Sequence, residues 1–361
     1  MLQLVGSALV AFCATTVLIV TALVLCLALV CRVRRASAPS GPPVGFFHPY
    51  CNDGGGGERV LWVGIAALLD QRPGLRCAVY TGDRVRPAQI LRNVKDRFGL
   101  ELPGDAIEFI YLTQRHWVEA KCYPRFTLLG QSLGSMLLAT EAMLRYAPLT
   151  FIDTTGYAFS FPVARIIGGC LVGCYVHYPT ISTDMLDAVA SRKAAHNNDA
   201  AIASSTIRST AKLLYYRLFA ASYALVGRCA SVIMTNSSWT AGHIEAIWGS
   251  GGIAKVYPPC NTVDFQALPL ALAQRHATAR VVSIAQFRPE KAHGLQLQAF
   301  ALLLSKTHHP ELRDVASITL AGACRHDDDF ARLDKLKAQA KALGLREGTD
   351  VHFEINVPFG E

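Results

Sequence analysis

The sequence predicts an α/β protein whose parallel sheets form two domains, preceded by one membrane-spanning helix. Apolar runs of strand length alternate with helix-length stretches from Val44 onward, which is typical of parallel sheets. The alternation starts again near Arg280, as expected for a second doubly wound domain. No charged residue occurs from Leu2 to Val30. That stretch is long enough to cross a hydrocarbon core of about 30 Å at about 1.5 Å per residue.

The N-terminal apolar segment is predicted to be an uncleaved anchor, assigned with its basic flank to residues 1–35. A cleaved signal peptide normally carries its positive charge before a shorter apolar run, whereas here Arg32, Arg34 and Arg35 follow it. Under the positive-inside rule these arginines stay in the cytoplasm, so the body after Ala36 is expected there too. The formal net charge of +8 and the pI near 9.0 suit the anionic face of a membrane.

Composition narrows the possible partners and ligands. No basic run with interleaved aromatic residues occurs, so nucleic acid is not expected as a partner. The eleven cysteines include no CxxC pair, and Cys170 and Cys174 have no histidine at zinc-finger spacing. They are predicted to be reduced, mostly buried thiols.

The first α/β domain is assigned to residues 36–278. Its connection to the anchor, residues 37–43, is rich in proline, serine and glycine. Helical stretches, such as the one predicted for Thr127–Arg145, separate its apolar runs. Strands are predicted at Val44–Phe47, Cys77–Tyr80, Ile107–Tyr111, Thr150–Ile152 and Leu171–His177.

Residues 212–232 are strongly apolar and aromatic and allow two interpretations. Lys212, Arg217 and Arg228 interrupt the segment, which makes a second membrane span expensive. One interpretation is a helix in the protein core. The other is a helix in the cytoplasmic membrane interface, whose cations reach the head groups while its aromatic side chains are buried.

The second domain is assigned to residues 279–361. Helices are predicted at Leu295–Leu304 and Asp327–Leu343. Strands are predicted at Arg280–Ala285, Ser317–Ala321 and Val351–Val357. These elements make half of a doubly wound domain, so we expect the chain to lack the C-terminal part of that domain.

A run of glycines, Gly54, Gly55, Gly56 and Gly57, lies between the first predicted strand and a helix. Glycine lets backbone N–H groups approach an anion closely, and the positive end of the following helix points to the same place. The run is therefore predicted to bind phosphate, with a mobile surface turn as the alternative. No Lys-Ser or Lys-Thr pair follows, and the third glycine of a dinucleotide fingerprint would fall on Arg59. A P-loop is excluded on this ground, and a nucleotide-sugar site remains open.

A basic turn follows the first strand of the second domain. Arg288 and Lys291 lie three residues apart at a predicted helix start, so both cations can face one phosphate group. An ordinary solvated helix end is the alternative for this turn.

The chain resembles glycosyltransferase family 4, and within it the α-1,2-mannosyltransferases of asparagine-linked glycosylation, which extend a trimannosyl oligosaccharide on dolichyl diphosphate. The similar segments run from about residue 45 to the end of the chain. They are Phe46–Asn52 before the glycines, Asp153–Phe159, Gly173–Ser182, Asn236–Thr240, Val256–Cys260 and Arg288–Lys291.

The resemblance implies a GT-B fold with two facing Rossmann-like domains. It implies GDP-mannose as donor, a dolichyl-diphosphate-linked oligosaccharide as acceptor, and transfer with retention of the α configuration at the cytoplasmic face of the endoplasmic reticulum. No metal and no cofactor are expected, so fixed donors must stabilise the departing diphosphate; the glycine N–H groups, Arg288 and Lys291 can supply them. The leaving phosphate oxygen can take the acceptor proton, which makes a dedicated base unnecessary. Earlier mannosyltransferases of the same pathway are expected as partners.

Two histidines are candidate site residues. His177 follows an apolar strand, at the end where ligands bind in open α/β sheets, and the resemblance implies that it contacts the transferred mannose as the catalytic residue. The alternative is an imidazole that only bonds to nearby backbone. His48 occupies the matching position on the first strand and is expected on the acceptor side.

The chain departs from the family in one respect. The family carries two glutamates, eight positions apart, in its second domain, and these would lie beyond Glu361. Glu354 and Glu361 are seven apart and are not assigned that role, so this stretch alone is expected to bind donor weakly. A catalytically inactive membrane-anchored GT-B binding or scaffold protein is therefore an alternative. A nicotinamide or flavin oxidoreductase is disfavoured because only a late Asp83 follows the second strand.

Overall fold

The computed structural model describes residues 2–38, 40–192, 204–260, 262, 266–267, 279–305, 312–313, 315–324 and 327–357, without the side chains of residues 1–11 and 13. The chain forms two compact units, Met1–Cys260 and Asn261–Glu361. Each unit is described by itself.

A parallel sheet forms the centre of the first unit. Its strand order is β3-β2-β1-β4-β5-β6-β7, and every neighbouring pair is parallel. The predicted strands are confirmed to within one residue at their ends. The order reverses between β1 and β4, and ligands bind at such a point in open parallel sheets. The strands are β1 Val44–Phe47, β2 Cys77–Thr81, β3 Ile107–Tyr111, β4 Thr150–Asp153, β5 Leu171–Val176, β6 Val232–Thr235 and β7 Ala254–Lys255.

Helices cover both faces of this sheet. They are α1 Leu2–Ala36, α2 Gly56–Gln71, α3 Pro87–Phe98, α4 Thr127–Arg145, α5 Ser160–Pro162, α6 Thr183–Ala190, α7 Thr206–Gly227 and α8 Ser238–Trp248. A π-helical turn, Val163–Ile167, continues α5. Right-handed crossovers place α2 and α3 on one face, and α4, α7 and α8 on the other. The core of the first face includes Trp62 and Ile90, and that of the second includes Leu138, Tyr223 and Trp248.

The predicted anchor forms the long helix α1. Within the described residues one helix segment, Ala14–Ala36, is long and apolar enough to cross a membrane. The last turns of α1 pack on the body, because Cys31 is buried and Arg34 donates to the carbonyl of Leu144. Arg35 donates to the carbonyl of Ala147 at 2.8 Å. Two of the three flanking arginines therefore tie α1 to the end of α4.

The segment of residues 212–232 lies mainly in α7. Aromatic residues on one face of α7 are buried: the Phe219 ring lies 5.6 Å from Phe159, and the Tyr223 ring 5.2 Å from Trp248. The core interpretation is correct for this face. The opposite face exposes leucines, and the membrane-interface interpretation remains open for that face.

The ten cysteines whose side chains the structure describes form no disulfide bond with one another. Six of these ten are buried, and burial raises the pKa of Cys77 to about 11 and that of Cys170 to about 12. They are therefore protonated at neutral pH. The prediction that the cysteines are mostly buried is confirmed for these ten; that they are reduced stays a prediction, and the side chain of Cys13 lies outside the described residues.

The second unit contains a smaller parallel sheet in the order β10-β9-β8. The helices α9 His293–Ser305 and α10 Asp327–Ala342 connect its strands, and its core includes Phe287, Leu297, Leu320 and Leu333. Its predicted strands and helices are confirmed. Glu354 lies in β10, and Glu361 falls outside the described residues. The strands are β8 Ala279–Ile284, β9 Ala316–Gly322 and β10 Val351–Ile355.

Candidate active site

The C-terminal ends of β1, β4 and β5 bring three polar residues together. His48 follows β1, Thr154 follows β4 and His177 follows β5. Thr154 contacts both histidines: its Oγ1 lies 2.7 Å from His48 Nδ1, and its carbonyl accepts a hydrogen bond from His177 Nε2 at 3.0 Å. Since β4 lies between β1 and β5, strand order places the two predicted site histidines next to each other.

His177 presents a neutral imidazole. A carbonyl oxygen can only accept, so Nε2 carries the hydrogen and Nδ1 keeps its lone pair. Burial lowers the pKa of His177, and the charge of His48 lowers it further, against the opposing effects of the Thr154 carbonyl and Glu58. The hydrogen bond from His177 to the Thr154 carbonyl agrees with the alternative interpretation, in which the imidazole only bonds to nearby backbone. The ring is nevertheless only half-buried, and its catalytic role stays a prediction.

His48 is held on both sides of its ring and is only 2% exposed. Its Nε2 lies 3.2 Å from a carboxylate oxygen of Glu58, in addition to the contact of Nδ1 with Thr154. Burial opposes ionisation of Glu58, but the hydrogen bond and charge of His48 and the N–H of Gly55 outweigh it and lower the pKa of Glu58. The structure thus gives His48 a positioning contact that the sequence did not indicate. The expectation that it lies on the acceptor side stays a prediction.

The glycine run is divided between a turn and the first turn of α2. Gly54 alone among the four has a left-handed φ, of 77°, and α2 already begins at Gly56, earlier than predicted. Gly55 N–H donates to the carboxylate of Glu58. The N–H groups of Gly56 and Gly57 have no partner among the described residues, as expected for the first turn of a helix. The predicted phosphate site therefore narrows to these two amides.

The space around the glycines agrees with a phosphate site restricted to the amides of Gly56 and Gly57. A Cβ on Gly56 would meet nothing within 4 Å. A Cβ on Gly57 would lie 3.7 Å from His177 Nε2 and 4.0 Å from His48 Cε1. The two free amides therefore lie beside the histidines, with open space in front of Gly56.

The turn before the glycines is fixed by neighbouring strands and helices. Asp83 Oδ2 accepts from the N–H of Asn52 at 3.0 Å, and its Oδ1 pairs with Arg115 at 2.5 Å. The Arg115 guanidinium lies 4.8 Å from the centre of the Tyr50 ring. Arg97 of α3 donates to the Asn52 carbonyl at 2.9 Å. Asp83, the late acidic residue after the second strand, thus holds this turn.

Asp153, the last residue of β4, is a buried carboxyl group that the sequence did not single out. It is 0% exposed, and it accepts from the Thr155 hydroxyl at 2.9 Å and from the Gly156 N–H at 2.8 Å. Burial raises its pKa to about 6, although those donors and the charge of His48 lower it. Asp153 shapes the Thr155–Gly156 turn next to the histidines.

We expect Asp153 to make stability depend on pH between about 4 and 6. The native carboxyl binds its proton more tightly than an unfolded carboxyl with a pKa of 3.8, so the free energy of unfolding falls as pH rises through this window. The full fall, from well below pH 3.8 to well above pH 6, is roughly 3 kcal/mol, and about 2 kcal/mol of it lies between pH 4.5 and pH 6.5. Urea unfolding in detergent at pH 4.5 and 6.5 would measure it, with Asp153→Asn as the non-titrating comparison. An equal pH dependence in both proteins would contradict this assignment.

In the second unit, Arg288 precedes a short 3₁₀ turn, Pro289–Lys291, whose last residue is Lys291, and α9 begins later, at His293. The predicted helix start is therefore a 3₁₀ turn, closed by Ala292 with a φ of 49°. Arg288 is the N-cap of this turn and has an extended backbone, with a φ of −117° and a ψ of 157°. That Arg288 and Lys291 face one anion stays a prediction.

His293 is a further polar residue beside this turn. It is 2% exposed, its ring stacks on Phe287 with centroids 5.1 Å apart, and neither ring nitrogen has a hydrogen-bond partner among the described residues. Burial lowers its pKa, and the charges of Lys291 and Arg332 lower it further. No sequence signal beyond its place next to the basic turn indicated it.

The first-unit cluster offers two backbone N–H groups as hydrogen-bond donors and a neutral imidazole as a hydrogen-bond acceptor. Glu58 and Asp153 are each occupied by neighbouring donors. In the part of the chain that the structure describes, no group of three His, Cys, Asp or Glu side chains could hold a metal ion.

Solved structures share this fold. The N-terminal domain of Candida albicans trehalose-6-phosphate phosphatase has a TM-score of 0.57 at 11% identity, covering 88% of this chain and 74% of that chain. A UDP-forming α,α-trehalose-phosphate synthase from Burkholderia vietnamiensis has a TM-score of 0.54 at 14% identity, covering 89% and 73%. At these identities the likeness shows the fold alone, which is the predicted parallel α/β fold of GT-B type.

The sequence comparisons identify the family. Proteins named GDP-Man:Man(3)GlcNAc(2)-PP-Dol alpha-1,2-mannosyltransferase are 48% identical over 320 residues in Xenopus laevis and 47% over 323 residues in Homo sapiens. Each match covers 88% of this chain, but only 65% and 64% of those relatives. The Caenorhabditis elegans protein of the same name is 41% identical, with 96% of this chain and 73% of that protein covered. Residues 42–248 match the family model described as ALG11 mannosyltransferase N-terminus, and the chain belongs to this family.

Proposed function

We propose that this chain, together with the part that its relatives have outside the match, is a retaining α-1,2-mannosyltransferase of N-glycan precursor assembly. Mannose would move from GDP-mannose to a dolichyl-diphosphate-linked oligosaccharide. Family membership and the names of the relatives support the reaction. The observation that carries the site is the contact of His48 and His177 with Thr154, beside the two free amides of α2.

Two groups of phosphate donors, one in each unit, are proposed for GDP-mannose and are described separately. Gly56 and Gly57 offer N–H groups at the positive end of α2. Arg288 and Lys291 offer cations at the start and the end of the basic turn. Donors held in place before the reaction stabilise the charge that develops on the leaving GDP, without reorganisation during the reaction.

His177 is proposed to orient the transferred sugar. Its Nε2 is fixed by the Thr154 carbonyl, which leaves Nδ1 to accept a hydrogen bond from a mannose hydroxyl. In this proposal the bond between mannose C1 and the phosphate oxygen breaks, and that oxygen takes the proton of the acceptor hydroxyl. The acceptor oxygen bonds to C1 on the face that the phosphate leaves. His177 then needs no change of protonation state.

Location and partners follow from the same proposal. We propose that α1 anchors the protein in the endoplasmic reticulum membrane by a single pass, with the body in the cytoplasm. Earlier mannosyltransferases of the same pathway are proposed as partners. Their presence after mild detergent purification would support this, and purification of the protein without them would count against it.

The function is tested by measuring the mass of a trimannosyl diphosphate-lipid acceptor after incubation with GDP-mannose. Membranes would carry this chain, or this chain extended with the part of the Xenopus laevis relative outside the match. A gain of mannose with the extended protein supports the proposal. Absence of product from both proteins, each shown to be folded, would contradict it and favour the inactive GT-B binding or scaffold protein.

We expect His177→Ala to lower the turnover of the extended protein by about 10- to 100-fold, the equivalent of one hydrogen bond in the transition state. The melting temperature should change little, because the ring is half-buried and makes one backbone hydrogen bond. His116→Ala, at an exposed histidine of the same unit, is the matched control. If His177→Ala and His116→Ala had equal turnover, His177 would have no role in the active site.

A further inference from the structure

An exposed aromatic pair lies beside His177, at the C-terminal edge of the first-unit sheet. Tyr178 directly follows His177 after β5, and Trp239 lies in the first turn of α8. Their ring centroids are 5.1 Å apart, with an angle of 34° between the ring planes. Tyr178 is 55% exposed and Trp239 is 44% exposed. Single exposed aromatic residues are common, but two adjoining rings at the ligand-binding edge of a parallel sheet suit a ligand.

Neighbouring side chains hold this pair in place. The buried ring of His243 packs edge-on against Trp239, with centroids 4.1 Å apart. Nδ1 of His243 lies 2.7 Å from the Thr183 hydroxyl, which fixes the imidazole in turn. The hydroxyl of Thr240, the residue after Trp239, donates to the His177 carbonyl at 3.4 Å. The pair therefore keeps a fixed position relative to His177.

A small cavity adjoins the pair on the side of Tyr178. Its volume is about 170 Å³, and Tyr178 and Thr155 line it together with polar side chains on one face of α4. These side chains are Gln131, Ser132 and Ser135. Among the described residues that line the cavity, none is Asp, Glu, Lys, Arg or His. The cavity is therefore polar but uncharged, which suits a neutral ligand rich in hydroxyl groups.

Ser132 offers a hydrogen-bonding group that the protein does not use. It is 6% exposed, and its hydroxyl has no hydrogen-bond partner in the part of the chain that the structure describes. A buried hydroxyl without a partner costs free energy, which a ligand hydroxyl in the cavity would recover. Gln131 and Ser135 donate to the carbonyls of Val118 and Ser132 at 2.7 Å. Their side-chain oxygens remain as acceptors, so the α4 face can both donate to and accept from a ligand.

We propose that the Tyr178–Trp239 pair and this cavity form a subsite for the oligosaccharide of the acceptor. The C–H groups on one face of a sugar ring stack on the aromatic rings, whose π faces are electron-rich. Hydroxyls of a neighbouring sugar enter the cavity. Complete ligand sites usually have volumes of about 300–1,000 Å³, so this cavity takes one sugar and not the whole oligosaccharide. The inference rests on the proposed function, since the oligosaccharide acceptor is named only for the relatives.

The first test measures the accessibility of Trp239 in the full chain, purified in detergent without GDP-mannose. Of the four tryptophans, Trp62 and Trp248 are 0% exposed and Trp117 is 40% exposed. In a Trp117→Phe background, Trp239 is therefore the exposed tryptophan, and acrylamide quenching of its fluorescence reports on its surface. Three probes are added in turn. They are the oligosaccharide Man(3)GlcNAc(2), maltopentaose as a neutral oligosaccharide with the same number of sugars, and GDP, whose flat base could also stack.

We expect Man(3)GlcNAc(2) to reduce the quenching of Trp239, and maltopentaose and GDP to leave it unchanged. Tyr178→Ala should weaken the affinity measured by this protection by about 2- to 10-fold, while Tyr178→Phe, which keeps the ring, should retain it. Protection by GDP would assign the pair to the base of the donor and overturn the inference. Equal protection by maltopentaose, protection by none of the probes, or a Trp239 that acrylamide cannot reach without a probe would overturn it as well.

Ser132→Ala tests the cavity separately from the aromatic pair. Because the hydroxyl has no protein partner, its removal should not lower the melting temperature. The affinity for Man(3)GlcNAc(2) should fall by about 2- to 10-fold, the usual effect of one lost hydrogen bond. Ser222→Ala, at an exposed serine of the same unit, is the matched control. Equal affinity in Ser132→Ala and Ser222→Ala would exclude the cavity from the subsite.

The second test measures steady-state kinetics of the extended protein with the trimannosyl diphosphate-lipid acceptor. Trp239→Ala should raise KM for the acceptor by about 2- to 10-fold with a smaller change in kcat, because stacking stabilises the ground state and the transition state alike. Trp117→Ala is the matched control, since Trp117 is also exposed and also packs against a histidine ring. Equal KM values in the two variants would contradict the subsite.

The two tests separate the subsite from the proposed reaction. Mannose transfer without protection of Trp239 would refute the subsite and leave the reaction standing. Protection of Trp239 by Man(3)GlcNAc(2) without any transfer by the extended protein would support the subsite and contradict the reaction.

Discussion

Replacement of Lys291 by alanine is expected to lower the turnover of mannose transfer by about 10²- to 10³-fold, the usual cost of removing one fixed donor to a developing anion. The loss corresponds to about 3–4 kcal/mol of transition-state stabilisation. It should appear mainly in kcat, because the charge on the leaving diphosphate grows during the reaction. Stability should hardly change, since Lys291 is exposed. Steady-state kinetics of the extended protein with GDP-mannose would measure the effect.

Lys335→Ala provides the matched control for Lys291. Lys335 is an exposed lysine on α10 of the same unit and lies outside the basic turn. Its replacement should leave both turnover and melting temperature unchanged. If Lys291→Ala behaved like Lys335→Ala, the basic turn would be an ordinary solvated helix end, which is the alternative that the sequence left open.

Gly56→Val is expected to lower turnover by at least about 10²-fold, because the side chain would keep phosphate oxygens away from the free amides of α2. A Cβ at this position meets nothing within 4 Å, and Gly56 is not among the glycines with positive φ. The free energy of unfolding should therefore change by no more than about 0.5 kcal/mol. Kinetics combined with thermal unfolding in detergent would separate the two effects.

Gly64→Val is the control within the same helix. Gly64 is exposed, and its Cβ would also meet nothing within 4 Å, but it lies two turns beyond the N-terminus of α2. Normal turnover in Gly64→Val and reduced turnover in Gly56→Val would support the phosphate site. Normal turnover in both variants would contradict the proposed phosphate site, whatever role His177 has.

Much of the fold could be predicted from the sequence because it depends on local patterns. The strands β1 to β5 appear in the sequence as short apolar runs, and the helices α9 and α10 as the longer stretches between such runs; all are found where predicted. The approximate place of His177 also followed, because a residue that ends a parallel strand lies at the ligand-binding edge. The boundaries of two helices were predicted less accurately. Helix α2 begins inside the glycine run, and a 3₁₀ turn precedes α9.

The contacts within the candidate site could not be predicted in this way. Thr154 joins His48 to His177 only because β4 lies between β1 and β5, and strand order is a long-range property. The pairing of Glu58 with His48 likewise depends on how the first turn of α2 packs beside the end of β1. Burial of Asp153 in the sheet raises its pKa, an effect that no neighbour in the sequence indicates.

The two faces of α7 show most directly the difference between what the sequence determines and what only the tertiary structure decides. Its composition determined that the segment is helical, apolar and interrupted by cations, and therefore belongs either to a core or to a membrane interface. The tertiary structure placed Phe219 and Tyr223 against Phe159 and Trp248 and turned Leu214 and Leu218 outward. Periodicity determines which residues share a face of a helix, because it is a local property. Only the packing of elements distant in the sequence decides which face is buried, because a face is buried only where another element packs against it.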